Sequence, residues 1–207
     1  MPYKNQQKSF FTDTFYHVYA RGENKKNIFI DKSDYKFFLY LLKKYLTPGF
    51  TEKKLIQGET INMPVNSVSE DVDLLSYCLI PNHFHLIIFN KSELGMSSLF
   101  RRVMSVYSNY FNIEHNCQGS LIEGNYRAIP ITSTYYLINA FLYVHLNPVK
   151  HKLVKDAKDY PYSSLKFYLD PKRSPRWVKI NKEILSEVDF TRINFYIKDT
   201  ENWEGLI

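Results

Sequence analysis

The alternation of apolar and polar residues divides the chain into segments of period two and segments of helical period. Phe15 to Ala20 (FYHVYA) has strand character, and a basic loop, RGENKKN, follows it. Asp31 or Ser33 can cap a helix whose apolar positions Tyr35, Phe38, Leu39, Leu42 and Tyr45 recur at helical spacing. Residues 47–70 are polar and hold Pro48, Gly49, Gly58 and Pro64, which marks a long excursion with room for a short hairpin. Asp73 to Ile80 (DLLSYCLI) and His83 to Phe89 (HFHLIIF) are apolar runs of strand length. Pro81 and Asn82 supply turn chemistry between them, so the pair reads as an antiparallel hairpin. The second run is apolar on both faces, which predicts a central strand covered on both sides.

Residues 97–113 form an amphipathic helix with Leu99, Val103, Val106, Tyr110 and Ile113 along one stripe. Tyr126 to Ile131 is strand-like. TSTYYLINAFLYVHLNP then reads as a helix begun by Ser133 or Thr134 and stopped at Pro148, which disfavours helical conformation at Asn147. Residues 170–179 (DPKRSPRWVK) read as a basic linker, and the remainder as one or two short helices closing the domain. Strands and helices are interspersed around a central hairpin. That pattern predicts an α+β fold with an antiparallel sheet, not a doubly wound parallel one.

Composition narrows the function classes. With 207 residues and 44% hydrophobic content, the chain can build a core, which excludes disorder of the whole chain. Its 27 Lys+Arg against 21 Asp+Glu give a formal charge of +6, which favours a polyanionic partner such as nucleic acid. Cys78 and Cys117 are the only cysteines, so no disulfide framework is expected and a reducing, cytoplasmic setting is natural. No stretch is long and apolar enough to cross a membrane, and MPYKNQQKSF lacks the apolar region of a signal peptide. Walker-type glycine loops, Cys-x-x-Cys pairs and nucleophile elbows are absent from the sequence.

The sharpest chemical feature is His83-Phe84-His85. Strand side chains alternate, so both imidazoles project from one face and Phe84 from the other. Two such imidazoles can share one metal ion; read alone, they fit equally a hydrogen-bonded or exposed pair beside a turn. Tyr143 and Asn147 stand four apart on a helix and share a face. Read alone, they fit a packing tyrosine and a helix-end asparagine. His145 lies about 200° round the helix from Tyr143 and belongs with the core-facing residues. His17, His115 and His151 read as ordinary lone histidines.

Taken together, LSYCLIPNHFHLII, RRVMSVYSNYFN, AFLYVHLNPVK and DYPYSSLKFYL resemble the REP-associated tyrosine transposases of the HUH single-tyrosine superfamily. HUH denotes His-hydrophobe-His, here His83-Phe84-His85, and the family's Tyr-x-x-x-Asn motif falls on Tyr143 and Asn147 ahead of Pro148. The likeness runs from about Phe15 to Leu169, with YHVYARGENKKNIF near its start. It departs at residues 47–70, which are longer than the family pattern, and at Glu123, where the family has Gln.

The resemblance implies a ferredoxin-like HUH domain over 1–169, with 47–70 an insertion and 170–207 a basic linker with a C-terminal elaboration. It implies Tyr143 as the nucleophile and His83, His85 and Asn147 as ligands of a divalent metal, Mg²⁺ or Mn²⁺. The implied activity is cleavage and rejoining of single-stranded DNA near a hairpin through a 5′-phosphotyrosine link. The enzyme would be a monomer or homodimer in a bacterial cell interior, with no membrane partner. Arg21, Lys25, Lys26, Arg101, Arg102, Arg127, Lys172, Arg173, Arg176 and Trp177 are candidate DNA contacts. The competing readings are a non-cleaving DNA hairpin-binding relative, a nuclease that uses water, and a relaxase or replication initiator.

Overall fold

A computed structural model describes residues 9–197. Residues 1–8, most of the MPYKNQQKSF segment that lacks the apolar region of a signal peptide, and the end of the C-terminal elaboration (198–207) lie outside the described residues. In chain order the main elements are β1 (Thr14–Arg21), α1 (Lys32–Leu46), β2 (Thr51–Ile56), β3 (Glu59–Pro64), β4 (Val72–Ile80) and β5 (His83–Asn90). They continue with α2 (Gly95–Glu114), β6 (Arg127–Ile131), α3 (Thr134–Lys150), α4 (Leu165–Leu169) and α5 (Lys182–Glu187). Four strands make one antiparallel sheet in the order β4-β5-β1-β6. The succession β1-α1-β4-β5-α2-β6 is the ferredoxin-like βαββαβ arrangement. The fold is therefore the α+β class expected from the alternation of elements. Pro130 sits in β6, an edge strand, where a missing N–H leaves no central ladder bond unmade.

Two cores form because the strands alternate their side chains. Tyr16, Val18, Ala20, Phe84, Leu86 and Ile88 face α1 and α2. Cys78, Ile80, Ile87 and Ile131 face α3 and the C-terminal turns. β5 lies between β4 and β1 and is covered on both faces, as its two-sided hydrophobicity requires. Asp31 begins α1 through a full capping box: its side chain accepts from the Ser33 and Asp34 amides, and Asp34 accepts from the Asp31 amide.

Several expectations need correction. The buried face of α2 is Leu99, Phe100, Val103, Tyr107 and Phe111, whereas Val106 is 37% and Ile113 70% exposed. The bulky rings of Phe100, Tyr107 and Phe111 choose the inward face, and the apolar stripe drawn through Val106 and Ile113 lies beside it. α3 does not stop before Pro148; it runs through it to Lys150. Only the last turn follows the proline, so a single helical bond is forgone, and His151 N–H closes the end on Asn147 O at 2.9 Å. Residues 47–70 need no correction: they hold a short hairpin, β2–β3, whose side chains are mostly exposed. Residues 170–179 are not a free linker: Lys179 N–H bonds Leu74 O at 2.8 Å, and Trp177 and Val178 are buried in the first core. Ile184, Val188 and Ile193 likewise join the second core beside α3.

Candidate active site

β5 and β1 pair so that Arg21 stands opposite His83 and Tyr19 opposite His85. β6 extends the second rung, with Arg127 opposite Tyr19. Directly opposed residues share a face, so Arg21, Arg127, Tyr19, His83 and His85 all point to the side that α3 covers. Phe84, between the histidines, points the other way and packs against Phe38 at 5.1 Å between ring centroids.

α3 is held over this face from its far side. Its N-terminus is capped by Ser133, whose hydroxyl accepts from Tyr136 N–H at 3.2 Å. His145 is fully buried; its Nδ1 donates to Phe141 O and its Nε2 accepts from the Ser164 hydroxyl, both at 2.9 Å. With His145 anchored opposite, Tyr143 and Asn147 turn to the sheet. The Tyr143 ring meets the His85 ring edge-to-face at 5.3 Å and the His17 ring at 5.8 Å. Asn147 places Oδ1 3.3 Å from His83 Nε2. The structure thus brings Tyr143, Asn147, His83 and His85 into one cluster.

Hydrogen-bond directions show what this cluster can hold. Asn82 Oδ1 lies 2.7 Å from His83 Nδ1, so Nδ1 carries the hydrogen and the neutral ring presents a lone pair at Nε2. Asn147 Nδ2 donates to Tyr143 O at 3.2 Å, leaving its Oδ1 to face His83. Two acceptors therefore meet at 3.3 Å without a proton between them. Among the described residues, His85 Nε2 is buried with no hydrogen-bond partner. Acceptor atoms in this state suit a cation, and two imidazoles with a carbonyl oxygen fit a divalent metal.

A different acidic group, Asp31, Asp34 and His115, also lies close enough to share an ion. It belongs to the opposite layer, at the start of α1 and end of α2. Asp34 oxygens already accept from Ile30 and Asp31 amides and from His115 Nε2, so this group serves the helix start.

Burial sets the protonation of the histidines. It lowers His83 to about 4, His17 to about 3 and His145 to about 3, and holds His85 well below the ordinary 6.5. All four are neutral in the fold at pH 7, while the unfolded chain gains their protons below 6.5. Folding stability is therefore retained above 6.5 and falls as pH drops toward 4. Each histidine contributes a slope of about 1.4 kcal/mol per pH unit in that window, and the four together up to about 5. Urea unfolding at pH 5, 6 and 7 measures this slope. His145→Gln should reduce it by about one proton, and an unchanged slope would contradict the assignment.

The basic candidates do not converge. Arg21 and Arg127 are exposed on the face of the cluster, and Lys25 and Lys26 lie exposed in the turn after β1. That turn is tight: a Cβ on Gly22 would meet Lys26 O at 2.0 Å. Asn82 Nδ2 points at Lys25 O, 3.5 Å away. Arg101 and Arg102 ride on α2 in the opposite layer, and Arg102 bonds Asn66 O. Lys172, Arg173 and Arg176 are exposed, with Arg173 paired to Asp170 at 3.1 Å. Their segment is tied to Leu74, about 20 Å along β4 from its end at Ile80. Trp177 leaves the candidate set, because its ring is buried and stacks on Tyr77 at 5.7 Å.

Sequence reading missed four neighbours of the cluster. His17 lies 2.9 Å from His85, Asn82 orients His83, His151 stacks edge-to-face on His83 at 5.1 Å, and Lys150 Nζ stands 5.0 Å above the Tyr143 ring. The signal for His17 was its place on the same strand face as Tyr19, two residues away; the others are chain neighbours of the motif residues.

No protein-family profile matches this chain, and no curated protein matches it. Among solved structures it is similar to a REP-associated tyrosine transposase bound to a REP hairpin, at a TM-score of 0.55 and 14% identity. The alignment covers 86% of this chain and 92% of that one. At that identity the likeness is one of fold alone: an α+β domain built on a four-stranded antiparallel sheet.

Proposed function

We propose that this protein cleaves and rejoins single-stranded DNA beside hairpins, through a covalent link between Tyr143 and a 5′ phosphate. The observation that carries the reading is the meeting of α3 with the histidine strand. The phenol ring lies against His85 while Asn147, one turn on, faces His83. The fold likeness to a transposase bound to a REP hairpin supports a DNA partner.

In this reading His83, His85 and Asn147 hold a divalent ion, Mg²⁺ or Mn²⁺. Such an ion, when bound, neutralises phosphate oxygens and polarises phosphorus. The chain's own residues do the rest. Tyr143 gives up its phenol proton, its oxygen attacks phosphorus, the bond to the 3′ oxygen breaks, and that oxygen takes up a proton from solvent and leaves as a 3′ hydroxyl. An ordinary phenol, with a pKa of about 10, is a poor nucleophile at neutral pH. The Lys150 ammonium over the ring favours negative charge on its oxygen. Arg21 and Arg127, which continue the two histidine rungs on the β1 and β6 side, hold backbone phosphates of the bound strand. The phosphotyrosine bond keeps the free energy of the phosphodiester, so a second 3′ hydroxyl can reseal the strand without ATP.

The test is incubation with a labelled single-stranded hairpin oligonucleotide and Mn²⁺. A denaturation-resistant protein–DNA adduct, mapped by peptide mass spectrometry to Tyr143, is expected. Cleaved DNA without an adduct would assign water as the nucleophile. Hairpin binding with neither product would leave a binding protein.

A further inference from the structure

His17 lies in the YHVYARGENKKNIF stretch with no role assigned to it, yet it is 2% exposed and lies on the same sheet face as the histidine pair. Its Nε2 stands 2.9 Å from His85 Nδ1, and the two rings are within 18° of parallel at 5.0 Å between centroids. One proton is shared across that contact, and its owner decides the state of the opposite nitrogen of His85. If His85 donates, its Nε2 is a bare lone pair. If His17 donates, His85 Nε2 bears a hydrogen that is buried and has no acceptor among the described residues. An orphaned buried N–H is the costlier arrangement, and only the bare lone pair can bind a cation.

We infer that His17 is a positioning residue, accepting the His85 Nδ1 proton and so fixing the tautomer in which His85 Nε2 is a metal-donor lone pair. This rests on the proposed divalent-ion reading for its purpose, but not for its geometry. Asn82 performs the same service for His83, accepting from Nδ1 at 2.7 Å. Both imidazoles are thereby oriented by an acceptor behind them, one from β1 and one from the hairpin turn. Register between β1 and β5 sets the first; chain adjacency sets the second.

The test combines a metal-free and a metal-loaded readout. Nitrogen-15 NMR of the metal-free protein should show His85 protonated at Nδ1 and unprotonated at Nε2. Calorimetric titration with Mn²⁺ alone should show affinity falling about 10- to 100-fold in His17→Phe, which keeps a ring but has no acceptor. His17→Gln, whose side-chain oxygen can accept at the same place, should restore most of it. Thermal unfolding confirms that the variants compared are folded. A proton found on His85 Nε2, or a folded His17→Phe that binds Mn²⁺ as tightly as wild type, overturns the inference. Failure of the wild type itself to bind Mn²⁺ overturns the ion reading instead, and the NMR result still decides the tautomer.

Discussion

Tyr143→Phe is expected to abolish the covalent DNA adduct and to lower strand cleavage about ten-thousandfold or more, the scale on which covalent enzymes lose rate without their nucleophile. The substitution removes one oxygen and leaves the ring. That ring packs edge-to-face on His85 and His17 and lies beneath Lys150, and phenylalanine preserves all three contacts. The fold and the histidine cluster should therefore persist, as should hairpin binding. Adduct formation on denaturing gels and a parallel gel-shift titration separate chemistry from binding. Cleavage that survives the change at near wild-type rate would exclude Tyr143 as the attacking group. Equal loss of binding would show that the side chain holds DNA without attacking it.

Phe84→Ala is expected to destabilise the protein by about 3–5 kcal/mol, as deletion of a large buried ring does. Phe84 is fully buried on the inner strand of the sheet, between Phe38 at 5.1 Å and Phe100 at 6.3 Å. Nothing on that face can collapse into the space without moving α1 or α2, so the void persists. The residue sits between two histidines yet faces the opposite core, so its effect should be on folding and not on chemistry. Chemical denaturation measures the loss. A change under about 1 kcal/mol would mean that the helices repack freely around the gap.

How much of this was legible beforehand follows from the range of the interactions. Local periodicity places the two imidazoles on one strand face and Tyr143 with Asn147 on one helix face, and the structure has both alignments. The side-chain faces of β5 and the Asp31 cap were likewise readable from neighbours within a few residues. His17 was not, because its contact with His85 spans 68 residues and depends on strand register. No local pattern encodes which residues of two distant strands oppose each other. Trp177 misled for a related reason: a tryptophan among basic residues reads as exposed, but its segment is pinned to β4 and its ring finds Tyr77. The rotation of α2 depended on ring volume more than on hydrophobicity, and a count of apolar positions does not weigh that. Pro148 shows tertiary packing overriding a local preference: Asn147 and Pro148 are both buried in α3, and the helix continues through them.

The anchoring of α3 by His145 and Ser164 bears on how copies of this protein would work together. Held by that contact, the helix brings its phenol to the imidazoles of its own chain, and we propose that each copy works with its own helix. For the proposed reaction, turnover per molecule should then be insensitive to dilution. A mixture of intact and Tyr143-lacking chains should lose activity only in proportion to the intact fraction.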